Sequence, residues 1–356
     1  MTTTGPADLT SLTREEILSL TAGLGQPKYR GPQLYRWLFG RMARSIDEMT
    51  DLPAAFRAQL ASGYMIGWPI EVRRDISKDG TIKLLMQLTT GRKVETVLIP
   101  DLGEDGSAER LTVCVSSQVG CAMGCSFCAT GRMGFSQNLH AGEIQGQVMH
   151  LDQVAREIYG RGVTNVVYMG MGEPLQNYEQ VKRSVALLAD PESLGIGIRR
   201  ITVSTVGLAA RIRKFADDGV RASLAVSLHA PDDVKRSSIM PVNRSVRTDL
   251  DALKDAIVHY TTVTGRRITY EYCMFRGFND TIEDARNLVG VARWAPSKVN
   301  LIMYNPVPGL GFDRTEEAQL DRFIRVLVAA GVTVTVRRSR GQDIAAACGQ
   351  LAAAEA

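Results

Sequence analysis

The chain lacks any apolar run approaching the roughly 20 residues needed to cross a bilayer, which excludes a helical membrane span. Its start, MTTTGPADLTSLTREEI, is polar and lacks the apolar core of a secretory signal. A cytoplasmic protein is therefore expected. No long internal repeat is present, and no low-complexity segment apart from a short Ala-rich tail. An excess of one charge sign is also nearly absent: 42 Lys and Arg stand against 38 Asp and Glu, a net +4. The global balance alone does not call for a nucleic acid. Histidine is scarce at four residues, and no HxxxH pair or second CxxC is available to complete a zinc site.

What is present is a chain of 356 residues, enough for one large domain of about 250 residues and a smaller one. Six cysteines in a reducing compartment suggest metal or redox chemistry rather than a disulfide framework. Arginines cluster locally: Arg199 with Arg200, Arg266 with Arg267, and Arg337, Arg338 and Arg340 together. Lys28, Arg30, Arg36, Arg41 and Arg44 crowd the N-terminal segment. Any one group is a solvated face; several together raise the case for a polyanionic partner modestly.

The first ~70 residues read as helical. Thr13 is placed to cap a helix over Leu12–Leu20, with Glu16 completing a capping box. A second helix is expected over GPQLYRWLFGRM, burying Leu34, Trp37, Leu38 and Met42 and exposing Arg36, Arg41 and Arg44. TIKLLMQLTTGRKVETVLIP reads as two strands turning at Thr90-Gly91, and Asp101–Glu109 as a linker or hairpin. Strands are then expected at 111–116, 164–169, 200–204, 222–228, 267–273, 298–303 and 332–336. Helices such as Ala141–Glu157, Tyr178–Leu188 and Thr248–Thr264 alternate with them. The fold class is therefore α/β, an incomplete (β/α) barrel with a small N-terminal helical accessory domain. The expected division is 1–80 helical accessory, 81–106 connecting hairpin and linker, 107–341 core, and 342–356 C-terminal tail. Polar residues fall just after the strands, where barrels keep their active sites.

The most informative run is CAMGCSFCATG, with Cys121-x3-Cys125-x2-Cys128. Three thiolates at this spacing can hold three irons of a 4Fe–4S cluster and leave the fourth open for a chelating cofactor. Structural zinc is the alternative, but Cys114 and His140, the nearest further ligands, form no pair with each other. The missing fourth partner favours the open cluster.

CVSSQVGCAMGCSFCATG, YMGMGEPLQNY, ITVSTVG, LAVSLHAP, YNPV and RRSRGQDIAAACGQL together resemble the motifs of the RlmN/Cfr group of radical SAM RNA methyltransferases. The resemblance spans roughly residues 85 to 351, and the N-terminal segment is similar to the accessory domain of RlmN. It implies Cys121, Cys125 and Cys128 as cluster ligands and S-adenosylmethionine as the chelating cofactor. Gly172, Glu173, Ser204, Ser227, Leu228, His229 and Asn305 would be its contacts. It also implies that Cys348 accepts a methyl group, that a radical formed from a second S-adenosylmethionine activates that group toward an adenine carbon, and that Cys114 resolves the protein–RNA adduct through a transient disulfide. Glu95 would accept a proton. Without the resemblance, Glu95 would read as an outward strand residue, and Cys273 reads as apolar filler. The implied reaction is methylation of adenosine carbon 2 in 23S rRNA and of the adenosine beside the anticodon in tRNA. The base would have to be extruded to reach the site. A flavodoxin- or ferredoxin-type electron donor and a monomeric enzyme are also expected. Two rivals stand beside this reading: a Cfr-type carbon-8 methyltransferase and a non-catalytic zinc-bound RNA-binding protein.

Overall fold

The capping box expected at Thr13 starts helix α1, Arg14–Gly23: Thr13 Oγ1 accepts from the Glu16 N–H at 3.3 Å, and the Glu16 carboxylate accepts from the Thr13 N–H at 2.8 Å. The second expected helix begins as α2, Arg30–Tyr35, and widens into a π turn over Arg36–Gly40. Leu34, Tyr35, Leu38, Phe39, Met42 and Ala43 are all buried along one face of this segment. Trp37 stays half-buried beneath the Arg41 guanidinium, 4.2 Å from its ring, and Arg36, Arg41 and Arg44 are exposed. Helix α3, Ala54–Gly63, adds Phe56 and Leu60 to this small core.

In the computed structural model, which describes residues 6–241 and 248–352, a ten-stranded sheet carries the rest. Its strands are β1 Ile70–Ile76, β2 Ile82–Gln87, β3 Lys93–Leu102, β4 Ala108–Cys114, β5 Asn165–Tyr168, β6 Ile201–Thr205, β7 Ser223–Ser227, β8 Ile268–Met274, β9 Ser297–Met303 and β10 Val334–Arg337. Strands β1 to β4 pair antiparallel in sequence order, and β4 to β10 pair parallel. Among the described residues β1 and β10 remain edges, so the barrel is open.

Each parallel strand lies within a few residues of its expected position. The sheet also reaches back into the segment read as helical, because β1 pairs with β2 along its length. Asp101–Glu109 forms a hairpin turn, closed by the Gly103 N–H to the Ser107 carbonyl at 2.9 Å. Of the tail 342–356, the last four residues lie outside the described ones.

Helices α4 Ala141–Tyr159, α5 Tyr178–Ala189, α6 Ala209–Asp217, α7 Asp233–Ile239, α8 Leu250–Thr264, α9 Ile282–Ala292 and α10 Glu317–Ala329 follow the parallel strands. The N-terminal core packs against Ala141 and Met149 of α4 and Leu187 of α5. Polar contacts fasten the same face: Tyr35 Oη donates to Asp190 at 3.0 Å, and Arg14 forks onto Glu192.

Candidate active site

The cysteine loop leaves the sheet just after β4 and returns through a short hairpin, Gln118–Gly120 with Phe135–Asn138. Gly120 is required at its neck. With φ 71°, it passes so close to Gly134 that a Cβ would lie 1.8 Å from that carbonyl oxygen. The loop is tied down by the Cys121 N–H to the Gly134 carbonyl and the Ser126 N–H to the Ile239 carbonyl, both 2.9 Å. It thereby faces the C-terminal ends of the parallel strands.

There a cavity of about 140 Å³ is lined by Cys121, Cys125 and Cys128, together with Gly172, Glu173, Ser204, Ser227, His229 and Cys348. Nine of the thirteen residues singled out from sequence thus meet at one mouth. Leu228 is fully buried behind it, its N–H bonded to the Glu271 carbonyl at 3.0 Å. Asn305 stands outside and donates to the Cys348 carbonyl at 3.4 Å. Cys114 is buried at the end of β4, close enough to Cys348 for that thiolate's charge to add to the effect of burial on its own thiol. Glu95 is not part of the cavity wall. Its buried carboxylate pairs with Lys83 Nζ at 3.1 Å and accepts the Ala352 N–H at 2.9 Å, anchoring the C-terminal tail.

Glu173 owes its position to Gly172 and Gln118. Gly172 has φ 101°, and a Cβ there would lie 2.5 Å from Gln118 Cβ. Gln118 Oε1 accepts the Glu173 N–H at 2.8 Å. The Glu173 side chain turns back to accept the Leu175 and Val206 N–H groups at 2.9 and 2.8 Å. Burial pushes its carboxyl up to about 7, against the pull of those donors. No Lys, Arg or His among the described residues forms an ion pair with it, so an ammonium ligand would find an unmatched acid.

His229, with φ 56°, accepts the Cys273 N–H on Nδ1 at 3.0 Å, and burial with nearby Arg236 lowers its pKa to about 3. The ring is therefore neutral with its proton on Nε2. Phe127 packs edge-on against it, ring centroids 4.9 Å apart.

Burial pushes the Cys121 thiol up to about 12 and Cys125 well above the ordinary thiol range, each worsened by neighbouring thiolates. Such thiols ionise readily only beside bound cationic metal. Among the described residues no three Cys, His, Asp or Glu side chains converge tightly enough to hold a single ion. One zinc would draw its thiolates within about 4 Å of one another. Three cysteines of one loop lining a single cavity wall match the donor set of a 4Fe–4S cluster with one open iron.

Cys348 is exposed by surface area but hemmed in by the cavity walls, which raises its thiol while Arg337 pulls it down. Its segment is stitched to the cluster loop: the Ala129 N–H donates to the Gly349 carbonyl at 2.8 Å and Thr130 Oγ1 to the Leu351 carbonyl at 2.6 Å. Two residues of the site were not anticipated. Glu271, 4% exposed, lines the cavity floor, with Asn300 donating to it at 2.7 Å. An acid inside the apolar run ITYEYCM was the available signal. Gln118 had only its place before the first cysteine.

An open parallel barrel with three cysteines and an unmatched buried acid at its C-terminal mouth defines a radical SAM fold. Residues 115–289 match the family model for the radical SAM superfamily, and residues 7–66 match that for the ribosomal RNA large subunit methyltransferase N-terminal domain. A probable dual-specificity RNA methyltransferase RlmN from Salinibacter ruber is 57% identical over 97% of this chain and 94% of its own. The dual-specificity RNA methyltransferase RlmN of Nitratidesulfovibrio vulgaris strain Miyazaki F is 46% identical, covering 98% and 95%. A solved radical SAM methyltransferase from Sphaerobacter thermophilus superposes with a TM-score of 0.90 at 45% identity, over 98% of this chain and all of that one. The chain belongs to the RlmN family of radical SAM RNA methyltransferases.

Proposed function

We propose that this enzyme methylates carbon 2 of adenosine in 23S rRNA and of the adenosine beside the tRNA anticodon, using Cys348 as the methyl carrier. The observation that carries this reading is that Cys348, some 220 residues from the cysteine loop in sequence, lines the same cavity as Cys121, Cys125 and Cys128. The relatives' description as dual-specificity RNA methyltransferases supports two RNA substrates.

Cys121, Cys125 and Cys128 would hold a 4Fe–4S cluster, which when bound supplies one electron to cleave S-adenosylmethionine. Glu173 would take the methionine ammonium, and Gly172 would let the backbone approach it closely. Ser204, Ser227 and His229 line the rest of that cavity, with Leu228 and Asn305 supporting its wall. Cys348 presents its sulfur to the donor and then to the base.

Cys114 then releases the product. Its thiolate attacks the Cys348 sulfur, an S–S bond forms, and the electron pair of the bond from that sulfur to the transferred methylene passes to the adenine–methylene unit, which takes up a proton to become the methyl group. Glu95 would take the ring proton only after leaving Lys83 and the Ala352 N–H, which ties that step to movement of the tail. A flavodoxin- or ferredoxin-type protein would deliver the electrons to a monomeric enzyme.

Mass spectrometry of rRNA and tRNA nucleosides from cells with and without this gene tests the reading. Loss of 2-methyladenosine from both is expected. Loss of 8-methyladenosine instead would make this a Cfr-type enzyme.

A further inference from the structure

A second cavity, of about 580 Å³, lies below the first in the barrel lumen, lined by the N-terminal halves of most parallel strands and, on β10, by residues up to and just past its C-terminal end. It shares only Met169 and Glu271 with the cysteine-lined cavity. Barrel interiors are ordinarily packed with branched apolar side chains. Here the inward strand positions carry Thr112, Asn165, Thr202, Thr269, Asn300 and Thr335 instead. Around them stand six cations, Arg110, Arg200, Lys298, Arg337, Arg338 and Arg340, against two carboxylates, Asp101 and Glu271.

The carboxylates are already engaged. Asp101 pairs with Arg110 at 2.8 Å and lies 4.0 Å from Arg340, and Glu271 accepts from Asn300 at 2.7 Å. Among the described residues no carboxylate stands within ion-pairing distance of Arg200, Lys298, Arg337 or Arg338. Arg337 and Lys298 do act on Glu271 through space, yet cations from strands far apart in sequence outnumber the acids in one hydroxyl-lined concavity. Its volume falls in the range of small-ligand sites, about 300–1,000 Å³.

We propose that this basic cavity binds a phosphate-bearing ligand of nucleotide size. Guanidinium and ammonium groups match clustered phosphates, and threonine and asparagine side chains supply neutral donors around them. Two sources share that chemistry: a free polyphosphate or nucleotide, and a phosphorylated RNA end entering the lumen. The proposal does not rest on the methylation reaction, and its test involves neither cluster nor S-adenosylmethionine.

The test is calorimetric titration of the full chain with inorganic tripolyphosphate and, separately, with a 5′-phosphorylated diuridine. Both carry clustered or terminal phosphate, and the tighter binder identifies the source. Tripolyphosphate affinity should fall steeply with salt, and by about tenfold or more in Lys298→Glu, where a charge next to phosphate is reversed. Thr269→Leu fills the lumen without changing charge and should weaken binding as well. Should either variant fail to fold, the unaltered chain still reports: tripolyphosphate should slow acetylation of Lys298, read by peptide mass spectrometry. Absence of binding by both probes, affinity unchanged in a folded variant, or unprotected Lys298 at saturating tripolyphosphate would overturn the proposal and leave a water-filled lumen.

Discussion

The two ends of the open barrel are built from the same strands and have opposite chemistry. On β6, Thr202 lines the lower cavity and Ser204 the upper; on β9, Lys298 and Asn300 line the lower and Ile302 the upper. A step of two residues along a strand keeps the side chain inside the barrel and moves it about 7 Å from one environment to the other. Above, burial outweighs what nearby Arg236 and Arg337 supply, and Glu173, Cys121, Cys125 and Cys348 all hold their protons more tightly than in water. Below, cations outnumber acids and several remain exposed, Arg200, Arg338 and Arg340 among them. Desolvation governs one end and charge accumulation the other. That is why the upper end suits a cationic cofactor and a metal cluster, and the lower an anion.

The largest expected effect would erase the upper end's character. Replacing Cys121, Cys125 or Cys128 with Ala leaves a two-thiolate site that cannot hold the cubane firmly. Iron content and S-adenosylmethionine cleavage should both vanish. Full iron and turnover in any one variant would break the contrast drawn here.

Glu173→Gln sharpens it. Between about 4.5 and 7 the folded chain keeps a proton that the unfolded chain has lost, so stability falls as pH rises through that window and stays low above it. The total is roughly 3 kcal/mol. In cofactor-free protein, denaturant unfolding at pH 5 and pH 8 should show this slope in the unaltered chain and a flatter one in Glu173→Gln. The slope is the readout, because Gln can accept only one of the two N–H donors and loses absolute stability as well. Parallel pH profiles would mean that Glu173 is not desolvated in the way described.

The smallest effect concerns a basic surface outside the barrel. Arg36, Arg41 and Arg44 are exposed beside the π turn, and changing all three to Glu should weaken RNA binding several-fold, most at low salt. Filter binding at two ionic strengths measures it. Unchanged affinity would make that helix a solvated face.

The strand–helix alternation from β4 onward was legible because each buried parallel strand is a short apolar run with turn residues at its ends. β1 was not legible. Its apolar residues Ile70, Val72 and Ile76 are 57%, 49% and 58% exposed, so no buried face shaped its sequence. The π turn was hidden because Leu34, Tyr35, Leu38 and Phe39 also share one face of an ordinary α-helix, so the apolar pattern does not reveal the widening. At the site, the three cysteines were readable from spacing. The approach of Cys348 to them was not, because contacts as remote as Ala129 with Gly349 leave no local pattern and only the family resemblance pointed there. Glu95 was singled out as a proton acceptor, yet its bonds to Lys83 and the tail depend on strand register and chain end together. Of the lower cavity's cations, Arg200, Arg337, Arg338 and Arg340 were noted within Arg clusters and Arg110 and Lys298 were not, without any sign that they line the same lumen.

The most direct test of the central claim, that Cys348 carries the methyl group and Cys114 frees the product, is denaturing gel electrophoresis of the two Ala variants purified from cells. Cys348→Ala has no sulfur at the proposed carrier position and should form neither adduct nor methyladenosine. Cys114→Ala keeps the carrier and loses the thiol that cleaves it, so an RNase-sensitive protein–RNA band should accumulate. An adduct in Cys348→Ala, or none in a Cys114→Ala enzyme replete in iron, would contradict the account.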